Sequence, residues 1–196
     1  LSVGYAHYAG SGSDTDGDAI NGISEALYKQ ITNLVLTPDE QEVGLVFSGS
    51  STTLANRADD FYFLFAERAQ MKDRINKGNW TIQLSGSYST TLQTTVKGQE
   101  SQSKVWLTDD SNTVNAAETI VGPRYNIVSG TLGTVVKAAS QRRYGYFYPN
   151  LGLMLFNVTA LTSSAGFADG IGSTAVGGVG VVIGGTAGYL ESGSAY

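Results

Sequence analysis

Four acidic residues near the N-terminus have the spacing of a calcium-binding loop. Asp14, Asp16 and Asp18 match positions 1, 3 and 5 of such a loop, and Glu25 matches position 12. Hard carboxylate oxygens at this spacing can wrap Ca²⁺. The match is incomplete, because Ala19 stands where the loop needs a glycine for its sharp turn. The alternative interpretation is an acidic helix N-terminus favoured by the helix dipole. We therefore expect no cofactor, and calcium at these four residues is the metal-binding alternative.

His7 is the single histidine, so any Ser-His-Asp triad or Cys-His dyad would have to include it. It lies between two tyrosines in a segment rich in Gly, Ser and Asp, and the chain contains no G-x-S-x-G motif. This context favours a packing or interface role over a catalytic one.

Two pairs of adjacent carboxylates, Asp59–Asp60 and Asp109–Asp110, are the remaining candidates for acid–base chemistry of the glycosidase kind. Adjacent residues in a strand point to opposite faces, and both pairs border apolar runs. They are interpreted as turn and cap residues, although the sequence leaves open a distant pair that meets in space. We expect no catalytic residues and no enzyme.

A glycine pattern and two glycosylation sequons carry less information. Gly178, Gly180 and Gly184 have the spacing of a dinucleotide loop, but the residues that follow form a poor helix. The sequons at Asn79 and Asn157 both lie in predicted strands, which favours chance. We therefore interpret the glycines as part of a flexible or close-packed strand and the sequons as chance matches.

Composition narrows the class of protein. Only 15% of the 196 residues are charged, 25 are glycine, and the net charge is −5. An acidic chain without a dense basic patch is a poor partner for a nucleic-acid backbone. There is no cysteine, so disulfides and thiolate zinc sites are excluded. No apolar run approaches the roughly 18 residues of a membrane-spanning helix. A Gly/Ser/Thr-rich, charge-poor chain of this kind is typical of β-structures that stack against neighbours, in virus particles or in adhesins.

One amphipathic helix is predicted over residues 18–36. Asp18 is a good N-cap, and proline after Thr37 ends the helix. Its apolar residues recur at three- and four-residue spacing, which predicts one stripe packed on a sheet. The stripe consists of Ile20, Ile23, Leu27, Ile31 and Leu34.

The rest of the chain favours short strands. Alternation puts Trp80, Ile82 and Leu84 on one face of a strand, after a turn at Lys77-Gly78. The segment after Ala66 is ambiguous between helix and turn. The predicted strands are Val43 to Gly49, Phe61 to Ala66, and the runs NWTIQLS, TTLQTTV, KVWLT, RYNIVSG and VGVVIGG.

The stretch RRYGYFYPNLGLMLFN predicts a hairpin. One strand runs from Arg143 to Tyr148, and the other runs from Leu153 to Phe156. Pro149 fixes the first corner of the loop, and Gly152 can adopt the left-handed conformation that closes it. The second strand is apolar on both faces, which indicates that both are covered. Gly145 inside the first strand indicates a bulge or a close backbone contact.

The predicted fold class is α+β and mainly β, with antiparallel sheets of short strands and the one helix packed on them. We expect an N-terminal arm over residues 1–17, a single β-rich domain over 18–160 and a Gly-rich extension over 161–196, the ends being flexible. The extension can contribute a strand and a tail. The chain is expected to be either a processed chain or a piece of a longer polypeptide, and its two ends are expected to reach into neighbouring proteins.

The order of several phrases resembles structural proteins of T4-like contractile-tailed phages, especially those that infect marine cyanobacteria. The phrases are YAHYAGSGS, ALYKQITNLVL, MKDRINKGNWTIQLSG, VWLTDDS, YNIVSGTLGT and YGYFYPNLGLMLFN, which together span nearly the whole chain. Two positions depart from the family pattern: Lys77 stands where proline is usual, and Asn150 stands where aspartate is usual. The shared phrases are structural, so they carry no active site across.

The resemblance implies a virion component of the tail or baseplate, made in the host cytoplasm and found in the extracellular particle. Its partners would be other virion proteins in a homo- or hetero-oligomeric assembly, with no nucleic acid and no membrane span. The alternative is a receptor- or carbohydrate-binding module of a tail fibre or adhesin. In that case aromatic side chains would be exposed to stack on sugars; the candidates are Trp80, Trp106, Tyr144, Tyr146 and Tyr148.

Overall fold

The computed structural model describes residues 1–10, 22–47, 57–71, 73–88, 101–136, 142–165, 182–183 and 189–190. The strands are β1 (Ser2–His7), β2 (Asp60–Phe65), β3 (Ile82–Tyr88), β4 (Ser101–Asp109), β5 (Ala117–Thr119), β6 (Gly122–Thr131), β7 (Thr134–Val135), β8 (Arg143–Tyr148), β9 (Leu153–Asn157), β10 (Val182–Ile183) and β11 (Tyr189–Leu190). The helices are α1 (Gly22–Val35), α2 (Pro38–Val43) and α3 (Val158–Ala165), with a 3-10 turn at Arg68–Gln70.

Antiparallel strands form one curled sheet that carries most of the fold. Its strands follow the order β1-β2-β9-β8-β6-β4-β3, and β5 and β7 pair with β6 outside this path. Two-residue strands β10 and β11 make a separate parallel pair. The predicted fold class, mainly β with antiparallel strands and an amphipathic helix packed on them, is confirmed.

The helix α1 presents a different face to the sheet from the one predicted. Ile31 is buried as expected and Leu27 is partly buried, but Ile23 is 69% exposed and Leu34 is 43% exposed. The buried row follows Tyr28, whose ring packs on Phe61 and fixes the rotation of the helix. The predicted cap Asp18 and the stripe residue Ile20 lie outside the described residues. The buried residues are Ser24, Tyr28, Ile31, Thr32 and Val35.

The strand predicted from Val43 to Gly49 is wrong over residues 43–47. A second helix, α2, follows α1 because Thr37 and Glu40 form a capping box around Pro38. After α2 the chain is irregular but buried, with Leu45 fully buried and Phe47 4% exposed. The apolar run therefore fills the core without joining the sheet. Residues 48 and 49 lie outside the described part.

The expectation of a loop-like N-terminal arm does not hold for the first seven residues. The strand β1 pairs with β2 in antiparallel register from Ser2↔Phe65 to His7↔Asp60. Ala6 is completely buried, and the Tyr5 ring lies 5.4 Å from the Tyr62 ring. Side-chain packing across the strand pair thus overrides the turn-rich composition. Residues 11–17 lie outside the described part.

Apolar side chains cover both faces of the central hairpin formed by β8 and β9, as predicted. On one face Phe147, Met154 and Phe156 pack with α3 and with the inward residues of β3 and β4. On the other face Tyr148 and Leu155 pack with α1 and the buried segment after α2. The sheet is therefore a middle layer with a hydrophobic cluster on each side.

A bulge in β8 divides the tyrosines of the hairpin between these two clusters. The pairing of β6 with β8 shifts between Ile127 and Val128, which leaves Tyr144 as the extra residue. Tyr144 consequently packs in the cluster of Phe147, whereas Tyr146 packs in the opposite cluster. The bulge predicted at Gly145 is confirmed. The predicted left-handed Gly152 is also confirmed, with a φ of 67°.

The remaining strand predictions are mostly confirmed. Strands form in the runs that contain Phe61, Ile82, Val105 and Tyr125, and Trp80, Ile82 and Leu84 pack against one cluster. The ambiguous segment after Ala66 contains the 3-10 turn, and TTLQTTV lies outside the described residues. The helix α3 was not predicted. It begins where the side-chain oxygen of Asn157 accepts a hydrogen bond from Ala160 N, and it continues past residue 160 to Ala165.

No helix in the described ranges is long and apolar enough to cross a membrane.

Candidate functional site

The calcium candidate is only partly visible. Asp14, Asp16 and Asp18 lie outside the described residues. Glu25 lies in the first turn of α1 and forms an ion pair with Lys29 one turn later. Within the described part of the chain, no three His, Cys, Asp or Glu side chains come together as a metal site.

His7 lies at the edge of the sheet in a small polar cluster with Tyr5 and Asp60. The Tyr5 hydroxyl donates a hydrogen bond to Asp60 Oδ2 at 3.1 Å, and the Tyr5 and His7 ring centroids lie 6.3 Å apart. His7 Nδ1 accepts a hydrogen bond from Ala9 N at 3.0 Å. Burial, and then the negative charge of Asp60, raise the pKa of Tyr5. A hydroxyl that holds its proton this firmly is a structural donor and a poor nucleophile.

The Asp109–Asp110 pair binds backbone and amide groups. Both carboxylate oxygens of Asp109 accept a hydrogen bond from Gly78 N, at 2.8 and 2.9 Å, and the residue is completely buried. Asp110 accepts hydrogen bonds from Asn126 N at 3.0 Å and from Asn126 Nδ2 at 2.6 Å. These contacts fit the turn-and-cap interpretation.

The three hairpin tyrosines are buried, with exposed fractions of 6% for Tyr144, 4% for Tyr146 and 1% for Tyr148. Rings this buried cannot form an exposed platform for sugar. Tyr146 donates a hydrogen bond to Val46 O at 2.8 Å, and Ser129 Oγ donates to the Tyr144 hydroxyl at 3.4 Å. Among the described residues, no group forms a hydrogen bond of normal geometry with the buried Tyr148 hydroxyl, although the Arg124 side chain acts on it as a donor and thereby lowers its pKa. Burial raises the pKa of Tyr148 to about 12, although the positive charge of Arg124 opposes the rise.

The two tryptophans have different surroundings. Trp80 is partly buried, and its ring lies 5.2 Å from Phe147 in an edge-to-face contact. Trp106 points away from that core and is 48% exposed. Its cross-strand neighbour is the exposed Gln83 on β3. Of the five aromatic residues named as sugar-stacking candidates, Trp106 alone combines a large aromatic surface with substantial exposure.

The strand β3 lies at one end of the sheet, and among the described strands it pairs only with β4. A terminal strand has one row of backbone N–H and C=O groups that the sheet does not use. Since β3 runs for seven residues beside Trp106, its outer edge and this indole form one candidate contact region. We call this region, β3 together with Trp106, the edge surface. The sequence identified both the strand and Trp106, but not their place at the end of the sheet.

Comparisons with protein-family models, curated proteins and solved structures return no match for this chain.

Proposed function

We propose that this chain is a structural component of a tailed-phage virion, in the tail or baseplate region, and that it acts by protein–protein assembly. The proposal rests on the phrases that resemble phage structural proteins and on the way the candidate reactive groups are used. Asp109 and Asp110 hold backbone groups, and the hairpin tyrosines fill the core. The protein then acts as a scaffold that presents surfaces to neighbours.

The edge surface is the observation that carries the assembly role. An extended strand of a neighbouring subunit would add to the outer edge of β3 through backbone hydrogen bonds. An apolar side chain of that strand would cover Trp106, because exposed aromatic residues are enriched at protein interfaces. Among the described strands only β4 pairs with β3, so the other backbone row of β3 is open to an extended strand, whereas a helix uses its backbone groups internally.

Particle composition tests the virion role. Particles from the phage that encodes this sequence would be purified and fractionated into heads, tails and baseplates for mass spectrometry. We expect the chain in the tail or baseplate fraction. Absence from every fraction would refute the virion role.

A variant pair tests the edge surface. Particles assembled with Trp106→Gln should contain less of the chain than wild-type particles. Ile23→Gln is the matched control, because Ile23 is 69% exposed on α1, outside the edge surface. Equal incorporation of wild-type and Trp106→Gln chains would remove the edge surface as the contact.

The receptor- or carbohydrate-binding alternative also depends on Trp106, since an exposed indole can stack on a sugar face. Binding of the purified chain to a glycan panel distinguishes the two proposals. Glycan binding that disappears in Trp106→Gln would favour the alternative, whereas assembly predicts no glycan dependence.

A further inference from the structure

Arg124 on β6 is a half-buried arginine held against a fixed aromatic ring. Its guanidinium carbon lies 4.1 Å from the centroid of the Tyr146 ring. Tyr146 is only 4% exposed, and its hydroxyl is bonded to Val46 O at 2.8 Å. A ring anchored at both ends of its side chain gives the guanidinium a fixed plane on which to stack.

A second arginine in the same protein is stacked on a tyrosine ring and also has a carboxylate partner. Arg57 lies 3.6 Å from the centroid of the Tyr8 ring. Asp59 Oδ1 accepts hydrogen bonds from Arg57 Nε at 3.1 Å and from Nη2 at 2.9 Å. Arg57 thus has an aromatic ring on its face and a carboxylate at its edge. Arg124 has the ring, and one of its donors acts on the Tyr148 hydroxyl, but no carboxylate in the described ranges forms an ion pair with it.

Glu40 is the acidic residue whose negative charge acts on the two tyrosines beside Arg124. It raises the pKa of Tyr146 and of Tyr148, and Arg124 lowers both by a larger amount. Its carboxylate has another role. Glu40 Oε2 accepts hydrogen bonds from Thr37 N at 2.9 Å and from Thr37 Oγ1 at 3.0 Å, which closes the capping box of α2. The Glu40 carboxylate is therefore not the ion-pair partner of Arg124.

The surroundings of Arg124 are positive in a chain whose net charge is −5. Arg124 and the exposed Arg143 both lower the pKa of Tyr146, although burial raises it overall. Ile120, at the tip of the β5–β6 hairpin four residues before Arg124, is 57% exposed. Arg124 stacked on the Tyr146 ring can bind an acidic side chain, and Ile120 on the same hairpin can contact the rest of a peptide that carries it.

We infer that Arg124 binds the carboxylate of an acidic segment of a partner chain. The planar guanidinium presents paired N–H groups that match the two oxygens of a carboxylate. The Tyr146 ring holds the guanidinium in place, so little conformational freedom is lost on binding. The partner's identity as another virion protein rests on the proposed function, but the site itself does not.

The site is tested with the purified chain. The probe is a short fluorescein-labelled peptide of alternating glutamate and glycine, followed by fluorescence anisotropy at low salt. The control peptide has glutamine in place of glutamate. We expect the acidic peptide to bind, the glutamine peptide not to bind, and the affinity to fall as salt is added.

Three variants locate the binding. Arg124→Gln should weaken binding at least about tenfold, and Arg124→Lys should restore only part of it, because an ammonium keeps the charge without the stacked fork. Lys29→Gln is the matched control, because it removes the same charge from an exposed residue of α1 that is paired with Glu25, and it should change binding by less than about threefold. The far-ultraviolet circular dichroism of each variant reports whether it has folded, and Arg124→Lys keeps the test decisive if Arg124→Gln does not fold.

Two results would overturn the inference. One is equal binding by the wild-type chain and a folded Arg124 variant. The other is competition by acetate or inorganic phosphate as strong as that by the peptide per carboxylate, which would identify a small anion as the occupant. Neither result bears on the particle fractionation, so failure of this site and failure of the virion role are separable.

Discussion

At the scale of single residues, two tyrosines of β8 share a strand face and differ in their hydroxyl contacts. Tyr146 donates to Val46 O at 2.8 Å, whereas no hydrogen bond of normal geometry reaches the buried Tyr148 hydroxyl within the described part of the chain, and only the Arg124 side chain acts on it as a donor. A buried hydroxyl stabilises the fold only if it is hydrogen-bonded, and otherwise its desolvation is a net cost.

Tyr146→Phe and Tyr148→Phe should therefore have different effects on stability. We expect Tyr146→Phe to lower the free energy of unfolding by about 1 kcal/mol. Tyr148→Phe should leave it unchanged or raise it by up to about 1 kcal/mol. Urea denaturation followed by tryptophan fluorescence measures both. Equal destabilisation by the two variants would mean that the Arg124 contact with the Tyr148 hydroxyl is a full hydrogen bond.

Gly145 is the other residue on which the hairpin depends. A Cβ at this position would lie 1.7 Å from Leu155 O, a backbone atom of the paired strand. At Gly4 the nearest obstacle to a Cβ is Phe63 Cζ at 2.3 Å, the tip of a half-buried ring that can move. The same substitution should thus be tolerated at one position and not at the other.

We expect Gly145→Ala to lower the free energy of unfolding by about 3 kcal/mol, because the bulge and the strand pairing must shift. Gly4→Ala should cost about 1 kcal/mol or less. Thermal melts of the two variants give the comparison. A Gly145→Ala protein as stable as the wild type would show that β8 can separate from β9 at little cost.

At the scale of elements, the apolar periodicity of α1 predicted the helix correctly but not the face that it buries. The spacing of Ile23, Leu27, Ile31 and Leu34 predicted a helix, and α1 covers these residues. The face was displaced, because Tyr28 packs on Phe61 and donates a hydrogen bond to Ala58 O at 2.8 Å. Tyrosine counts as only weakly apolar in a hydrophobicity pattern, so the pattern does not identify Tyr28 as a buried residue.

Two isoleucines of α1 test the displaced face. Ile31 is 8% exposed and Ile23 is 69% exposed. Ile31→Ala should lower the free energy of unfolding by about 2–4 kcal/mol, and Ile23→Ala should change it by less than about 0.5 kcal/mol. Chemical denaturation measures both values. Similar losses for the two variants would restore the face predicted from the sequence.

At the scale of the whole molecule, buried tyrosines link folding to alkaline pH. Burial raises the pKa of Tyr28 and of Tyr148 from 10.0 to about 12. An acid whose pKa is raised in the folded state stays protonated there while the unfolded chain ionises. Its contribution to stability is full below pH 10 and is lost as the pH rises from 10 to about 12.

We therefore expect the free energy of unfolding to fall steeply above pH 10, by about 1.4 kcal/mol per pH unit for each such tyrosine. Absorbance at 295 nm should show these tyrosines ionising only as the protein unfolds. Tyr148→Phe is the control and should make the pH dependence shallower by the share of one group. A protein whose stability stays flat up to pH 11 would contradict the shifted pKa values.

The strands and the hairpin could be read from the sequence because each depends on local patterns. Alternation placed Trp80, Ile82 and Leu84 on one face, and the Pro149 to Gly152 loop has residues with the required backbone angles. The apolar run around Leu45 was misassigned for the same reason. A short buried run looks alike whether it pairs in a sheet or fills a core as an irregular segment.

The candidate contacts were less predictable. Trp106 was named as an exposed candidate, but its position beside the terminal strand depends on the order of strands in the sheet. The stacking of Arg124 on Tyr146 joins residues from β6 and β8 and has no local sequence signal. Contacts between residues distant in sequence depend on topology, which short-range patterns do not encode.

The sequence alone determined the mainly β character, the tyrosine hairpin and the special backbone roles of Gly145 and Gly152, because these follow from alternation, turn chemistry and the absence of a Cβ. The tertiary structure decided which faces are buried. It moved Tyr144 across the sheet by a bulge, buried the rings that could have bound a ligand and left Trp106 on the surface. Burial is set by which strands become neighbours, and that choice is made by the packing of the whole chain.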